Sequence, residues 1–508
     1  MTSPTSQSRV PKACDPCNRR KVRCNGQQRC QQCEHLDLHC TYTENRSSRS
    51  RKHALRRGTV ISKYKNGSNN SNSNAVPNGK TTALTPLLSS PAPLAPKPSP
   101  RLPATYFESL LPDYMSYVYP FSPIITDSEV RHSIRKMDTE REHAAFVYAF
   151  TAVTLDLTRS SHSHWHSTET ISKSNSNSNS PASASTPIST LITDLMRQSV
   201  ESQQPLVIGL RPTILRATTS IFIQMCAMSL GHYDLGFFYL REAISMIHML
   251  RINDKPTQST LNLSERARRQ RLYWQCFIHE RFMSIVYFSP VTLPPHSQYP
   301  EDDPTVEPGI QQGWTQVIKT FCMLDASFIS LWIGDRSQVS AEWVEKKHRE
   351  LGDELWEVEV SALSELQQAD LVVTRQWMRT LLWQMAMSNC LLSSHASCPS
   401  LELEMPLRLS VQLRRFLTRI SQNMIRVHGA SMISKLLEIV NTIADVVIHV
   451  PQATEEETRC RIDDIVFLQE IVLSFDNLQG TPKDILLDKF RLIRGRFSHI
   501  EVAMQLAG

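Results

Sequence analysis

Six cysteines crowd into residues 14–40, and this cluster constrains the chain more than any other feature. Their spacing is C-x2-C-x6-C-x5-C-x2-C-x6-C, so two similar halves of three cysteines are joined by residues 25–29. The N-terminal sequence MTSPTSQSRVPK has no apolar region typical of a secretory signal. In a reducing compartment, closely spaced thiols bind a metal rather than form disulfides. The spacing therefore predicts a metal site.

Neither half of the cluster can complete a zinc site by itself unless a histidine joins it or sulfurs are shared. Structural zinc takes four tetrahedral ligands, whereas each half of the cluster offers three thiolates. Two bridging sulfurs and four terminal ones give two Zn²⁺ ions four ligands each. A zinc ribbon using His39 in place of Cys40, and a disulfide-stapled module, are the alternatives. The predicted metal ligands are Cys14, Cys17, Cys24, Cys30, Cys33 and Cys40.

This cysteine pattern resembles the zinc binuclear cluster, the DNA-binding domain of a large family of fungal transcription factors. The resemblance implies that Cys14 and Cys30 bridge the two ions. It assigns Cys17 and Cys24 to one zinc as terminal ligands, and Cys33 and Cys40 to the other.

The stretch CNRRKVRC matches the first-half helix of that family. The resemblance implies that this helix enters the major groove and that Arg20 and Lys21 read a CGG triplet, since long cationic side chains reach guanine O6 and N7. Arg19 and Arg23 are expected to contact phosphates, which position the domain without reading sequence.

Two residues near the junction of the halves depart from the family pattern. Gln28 stands where the family usually has proline, and Asn25 where it often has aspartate.

Charge separates the chain into two parts. Residues 1–65 carry a net charge of +11 and the rest carries −5, as expected of a nucleic-acid binder with a basic module. Residues 1–13 are predicted to be a disordered basic N-terminus and residues 41–65 a basic linker, in which RKHALRR could direct nuclear import. Residues 66–104, rich in Asn, Ser and Pro, are predicted to be a disordered linker without coiled-coil heptads. DNA binding would then occur as a monomer or through a homodimer formed by the large domain.

Residues 105–508 are predicted to form a large all-α domain with a disordered insertion at residues 160–190. The histidines in that insertion, His162, His164 and His166, could chelate a metal only weakly. Gly231 is predicted to join two helices into an antiparallel hairpin. The apolar stripes of that hairpin are Ile214, Thr218, Ile221, Met225 and Met228, then Phe237, Leu240, Ile244, Ile247 and Leu250. Further helical stretches are predicted at residues 314–332, 343–392, 406–450 and 485–506.

Two segments of this domain resemble the regulatory region, often called the middle homology region, of the same fungal factors. They are GHYDLGFFYLREAISMIHMLRIN and RRQRLYWQCFIHERFMSIVYFSPVTLPP. The second, with Tyr273, Trp274, Glu280 and Arg281, matches more closely.

No catalytic motif of a hydrolase, metalloprotease or nucleotide-binding enzyme occurs in the chain, which favours a protein that is not an enzyme. The methionines and aromatic stripes could line a pocket for a small-molecule effector, although packed helices produce the same pattern. The acidic segment PEDDPTVEPG is interpreted as a surface loop rather than an activation segment. The six cysteines beyond the cluster are interpreted as buried thiols. No apolar run is long enough to predict a membrane span.

The leading hypothesis is a nuclear, sequence-specific DNA-binding factor that regulates RNA polymerase II through contacts with double-stranded DNA and the transcription machinery. Its targets would be genes of carbon-source use or of a secondary-metabolite cluster, as in proteins of similar architecture. The alternative is a zinc-dependent adaptor that binds protein or RNA without reading DNA sequence.

Overall fold

The computed structural model describes residues 13–20, 24–35, 39–42, 102–159 and 188–498, with short gaps at residues 208, 210, 335, 353, 395–397, 451–453, 477 and 479. The chain divides into two compact units, Met1–Ala95 and Pro96–Gly508. The described residues of the first unit contain two short helices, α1 (Asp15–Arg20) and α2 (Gln31–His35). Most of the predicted insertion and of both linkers lies outside the described residues.

The second unit, called the body, is all-α as predicted. Its described residues contain an isolated bridge between Ser393 and Glu402 but no β-strand. Its first half contains α3 (Ala104–Ser109), α4 (Leu111–Asp113) with a π-helical turn (Tyr114–Val118), α5 (Asp127–Lys136), α6 (Arg141–Thr158), α7 (Ile188–Ser202), α8 (Ile214–Ser229), α9 (Tyr233–Met249), α10 (Lys255–Ser259) and α11 (Leu263–Tyr287). Its second half contains α12 (Pro308–Cys322), α13 (Ala326–Ile333), α14 (Ala341–Glu350), α15 (Glu354–Ser361), α16 (Glu365–Ser388), α17 (Met405–Leu417), α18 (Gln422–Arg426), α19 (Gly429–His449), α20 (Glu455–Leu473) and α21 (Thr481–Arg496).

The predicted helical hairpin is present as α8 and α9, which pack against each other. Gly231 ends α8 with φ +79°, a left-handed conformation that glycine adopts without a Cβ clash. The Gly231 N–H donates to Met228 O at 3.2 Å, and the His232 N–H donates to Ala227 O at 2.8 Å. This pair of bonds is a Schellman motif, which satisfies carbonyls at the helix end.

Side-chain caps explain where many of the helices begin. The Asn262 side chain accepts the Glu265 N–H at 2.8 Å at the start of α11. Because the first N–H groups of a helix lack backbone partners, such caps stabilise a helix by about 1 kcal/mol. Equivalent caps are Thr213 for α8, Asp325 for α13, Ser340 for α14, Ser364 for α16 and Thr454 for α20.

One hydrophobic core runs through the body. Helix α6 is buried along most of its length and packs against α5, α7 and α8. In the second half, α16 packs against α12, α14, α17 and α19. Phe150, Phe222 and Trp377 are among the largest fully buried side chains. Among the described residues no single helix is long and apolar enough to cross a membrane; only the pair α12 and α13, bent by 52°, reaches that composition together.

The structure corrects several details of the sequence analysis. Residues 343–392 are divided among α14, α15 and α16 rather than forming one stretch. Helix α3 begins at the last residue of the predicted linker, and α7 begins at Ile188, inside the predicted insertion. Of the scattered cysteines only Cys226 and Cys276 are fully buried, whereas Cys390 and Cys460 are exposed. An apolar neighbourhood in sequence does not decide which face of a helix a thiol occupies.

After α11 the chain turns back along that helix, and we call residues 288–306 the return segment. The Tyr273 hydroxyl donates to Pro294 O at 2.8 Å, and the Trp274 ring nitrogen donates to Gln298 O at 3.1 Å. Two residues of the family-like motif therefore hold the return segment in place.

Glu280 is the most heavily bonded carboxylate of this motif, at 1% exposure. Its oxygens accept the backbone N–H groups of Thr292 and Leu293, both at 2.9 Å, and lie 2.5 Å from Arg241 Nη1 and 3.3 Å from Arg281 Nη1. The motif thus builds a buried ionic network with the return segment.

The acidic stretch PEDDPTVEPG is a largely exposed loop, as interpreted from sequence, but two of its carboxylates bond to α11. Asp303 is 1% exposed and accepts from Arg271 Nη2 at 2.9 Å. Glu301 accepts from Arg266 at 2.7 and 2.8 Å in a two-point contact. These carboxylates are therefore neutralised by α11 in the folded body.

Buried His428 predicts that the body loses stability in mild acid. Burial lowers its pKa to about 4, and its Nε2 donates to Leu366 O at 3.0 Å, so the folded state holds the neutral ring. Asp370 opposes this shift and Lys435 reinforces it. Since the unfolded histidine titrates near 6.5, the unfolded state binds more protons between pH 6.5 and 4. His428 alone should then cost up to about 1.4 kcal/mol per pH unit across that window.

Urea unfolding at pH 7 and pH 5, followed by tryptophan fluorescence, measures this effect. All eight tryptophans lie after residue 104, so the signal reports on the body. His428→Gln should reduce the dependence of the unfolding free energy on pH. The same change at exposed His449 should leave that dependence unchanged. An unchanged dependence in His428→Gln would contradict the assignment.

Candidate metal centre

The two halves of the cysteine cluster fold as two similar turns, each followed by a short helix. Cys14 precedes α1 and Cys17 lies in it, while Cys30 precedes α2 and Cys33 lies in it. The Cys33 N–H donates to Cys30 O at 2.9 Å. Residues three apart share one face of a helical turn, so each C-x2-C pair projects both thiols to the same side.

The sulfur atoms lie close together without forming disulfides. Cys14 Sγ lies 3.6 Å from both Cys30 Sγ and Cys33 Sγ, and Cys17 Sγ lies 3.5 Å from Cys30 Sγ. Tetrahedral zinc with Zn–S bonds of about 2.3 Å separates its sulfurs by about 3.8 Å. The spacing of the thiols therefore fits zinc.

The thiols form two groups of four in which the ligand atoms lie within 4.8 Å of one another. The members common to both groups are Cys14 and Cys30, the two residues for which the resemblance implies bridging. Cys40, and not His39, joins the second group. The groups are Cys14, Cys17, Cys24 and Cys30, and Cys14, Cys30, Cys33 and Cys40.

Crowding makes simultaneous ionisation of these thiols costly. Burial raises the pKa of Cys17 to about 11 and raises the pKa values of Cys14 and Cys33 still further. At Cys30 burial acts in the same direction, but hydrogen bonds from Cys33 and neighbouring thiols outweigh it and lower the pKa to about 6. A divalent cation would stabilise all of the thiolates together, and its binding would release protons.

Backbone and tyrosine contacts close the module beyond the last cysteine. The Cys30 N–H lies 3.4 Å from Cys40 Sγ, and the Tyr42 hydroxyl donates to Gln27 O at 2.7 Å and lies 3.8 Å from Cys24 Sγ. Tyr42 thus binds the loop that contains Asn25 and Gln28, the two residues that depart from the family pattern. Sequence reasoning assigned Tyr42 to the linker, because no spacing rule links it to a cysteine.

The predicted DNA-contacting residues are only partly described. Arg19 and Arg20 lie in α1, but the positions of their side chains are outside the described part of the structure. Lys21 and Arg23 lie outside the described residues altogether. Their roles remain predictions.

Both parts of the chain match domains of known protein families. Residues 12–50 match the fungal Zn(2)-Cys(6) binuclear cluster domain, and residues 111–332 match the fungal specific transcription factor domain. The chain carries both domains of the fungal zinc binuclear cluster transcription factors. In this family the matched domains belong to transcription factors rather than enzymes. The second match contains α11 and the return segment.

Several curated fungal proteins are similar at low identity. A probable sucrose utilization protein of Candida albicans is 24% identical over 50% of this chain and 50% of its own length. A respiratory transcription factor of Saccharomyces cerevisiae is 21% identical over 54% of this chain and 58% of its own. A maltose fermentation regulatory protein of Saccharomyces cerevisiae is 21% identical over 87% and 85%. The chain thus spans half the length of the first relative and 58% of that of the second.

Proposed function

We propose that this protein is a nuclear, sequence-specific DNA-binding regulator of transcription by RNA polymerase II. The observation that carries the proposal is the arrangement of six thiols in two groups that share Cys14 and Cys30, beside a helix of sequence DPCNRR. Similarity to fungal transcription factors over both parts of the chain supports the same conclusion.

The metal centre would hold two Zn²⁺ ions with Cys14 and Cys30 as bridges. Six thiolates and two divalent ions sum to a charge of −2, which neighbouring lysines and arginines offset. Zinc supplies folding free energy in such small modules, because they have almost no apolar core. The role of zinc here would be structural rather than catalytic, since protein sulfur would fill every coordination position.

DNA recognition would divide between two pairs of basic residues. Arg20 and Lys21 would donate hydrogen bonds to guanine in CGG half-sites, while Arg19 and Arg23 would neutralise phosphates. The regulated genes would serve the use of a carbon source, a choice favoured by the sucrose utilization and maltose fermentation proteins among the relatives.

Lys21→Ala and Arg23→Ala test this division of roles. We expect Lys21→Ala to lower affinity for a CGG site by about 1–3 kcal/mol with little change on scrambled DNA. Arg23→Ala should weaken binding to both DNAs alike and reduce the salt dependence. Fluorescence anisotropy with matched cognate and scrambled duplexes measures both effects. Equal losses on both duplexes for both variants would contradict the division.

Selection from random DNA with the full, zinc-loaded chain tests the function itself. Enrichment of CGG-containing sites that disappears on chelation is the expected result. Two enriched half-sites at fixed spacing would indicate a homodimer, and a single half-site a monomer. Steeply salt-dependent binding without enrichment would favour the adaptor and overturn the proposal.

A further inference from the structure

A cavity of about 150 Å³ lies inside the body, where α8, α11, α12, α16 and α19 meet. These helices come from both halves of the body. A cavity of this size can hold a molecule of roughly one six-membered ring. Because protein interiors are otherwise close-packed, a space of this size among helices is a candidate ligand site.

Aromatic side chains form one wall of the cavity. Phe121, Phe282, Trp314 and Phe321 all line it. Lys435 Nζ lies 5.9 Å from the ring centroid of Phe282 and 5.6 Å from that of Phe321. Such ring faces pack against the C–H surface of a bound ring and contribute most of the apolar contact area.

Amide and imidazole groups on α8 and α11 also line the cavity. Gln275, at 1% exposure, accepts from Ser122 at 3.0 Å through Oε1, and its Nε2 has no partner among the described residues. Gln224 Oε1 accepts from His279 Nδ1 at 2.6 Å, so Nε2 of His279 is left as an acceptor. Within the described part of the chain, neither that Nε2 nor Gln224 Nε2 has a protein partner.

An ion pair between α16 and α19 adds charged groups to the lining. Asp370 Oδ1 accepts from Lys435 at 2.9 Å and from Thr374 at 3.0 Å. Asp370 Oδ2 has no hydrogen-bond partner in the described residues, and Lys435, which is 3% exposed, uses two of its three protons. Polar atoms that line a cavity without a protein partner are satisfied by water or by a polar ligand.

The lining is electrically neutral. Asp370 and Lys435 offset each other, and Asp156 is paired with a neighbouring guanidinium. Burial lowers the pKa values of His279 and His428 to about 4, so both rings are neutral at pH 7. A net charge brought into this site would remain unpaired at high cost, which excludes anionic and cationic ligands.

We propose that this cavity binds a neutral ring compound carrying two or more hydroxyl groups, of monosaccharide size or smaller. A hydroxyl both donates and accepts, and it can satisfy the free amide, imidazole and carboxylate atoms together, while the ring faces the aromatic wall. Binding itself does not depend on the proposed function, although its use as a transcriptional effector site does.

Thermal unfolding and calorimetric titration of the full chain test this site with catechol, myo-inositol and D-glucose as probes. At least one probe should raise the melting temperature of the body, while D-gluconate and benzene should not. Gln275→Leu removes the free amide and Val317→Phe fills the cavity, and each should weaken binding by at least tenfold. Gln412→Leu is the matched control because Gln412 is exposed and does not line the cavity, and it should bind normally.

Binding of benzene or gluconate in preference to the hydroxylated rings would overturn the proposal. So would the absence of any probe effect on the wild-type chain, whether or not the variants fold. An unchanged affinity in a folded Val317→Phe chain would show that the ligand binds elsewhere, and this result would also overturn the proposal. Selection of DNA sites is measured separately, so failure here and failure of the proposed function are distinguishable.

Discussion

Removing zinc from the full chain is expected to unfold residues 14–42 and to abolish specific DNA binding. Five of the six cluster cysteines are buried around one another, and the apolar cluster of this module consists of little besides cysteine. Structural zinc contributes about 10–16 kcal/mol to the folding of comparable small modules at pH 7, which exceeds what such a core could supply. No other change to this protein is expected to have so large an effect.

The measurement combines chelation with metal counting and DNA-binding anisotropy. Chelation should release two zinc ions per chain and lower affinity for a CGG site at least a hundredfold, while tryptophan fluorescence from the body stays constant. Cys14→Ser should have the same effect because it belongs to both thiol groups. Cys460→Ser is the matched control, since Cys460 is exposed and outside the cluster. Specific DNA binding that persists after complete zinc removal would contradict this account.

Glu280→Gln is expected to destabilise the body by about 3–5 kcal/mol, the typical cost of breaking a buried ion pair. The amide has only one acceptor oxygen, so it cannot accept both of the bonds that Thr292 and Leu293 donate to the two carboxylate oxygens. It also leaves the 3%-exposed guanidinium of Arg281 without its carboxylate. The return segment should therefore be bound less tightly to α11, and the body should unfold at a lower urea concentration.

Urea unfolding followed by tryptophan fluorescence measures the loss, read as a lower midpoint at unchanged slope. Glu357→Gln is the control, because Glu357 and Arg415 form a surface pair at 3.1 Å with exposures of 49% and 59%. That change should cost no more than about 1 kcal/mol. If both variants lose the same stability, Glu280 is not the structural centre of the motif.

The sequence was most informative where local chemistry decides structure. Ligand number and spacing predicted the zinc cluster, and turn chemistry at Gly231 predicted the α8–α9 hairpin, because both depend on residues close together in the chain. The motif containing Tyr273 and Glu280 could be recognised, but its role could not, since its partners lie in the return segment. The burial of Asp303 within the acidic loop could not be predicted, because its neutralising partner, Arg271, lies on α11.

By itself, the sequence predicted the metal ligands, and it determined the basic character of the N-terminal module and the all-α class of the body. Only the tertiary structure decided that Gln275, Asp370 and Lys435 line one neutral cavity, and that Cys390 and Cys460 face solvent. Periodicity reports which face of a helix is apolar. It carries no information on which helices meet, and that packing decides which polar atoms are buried together.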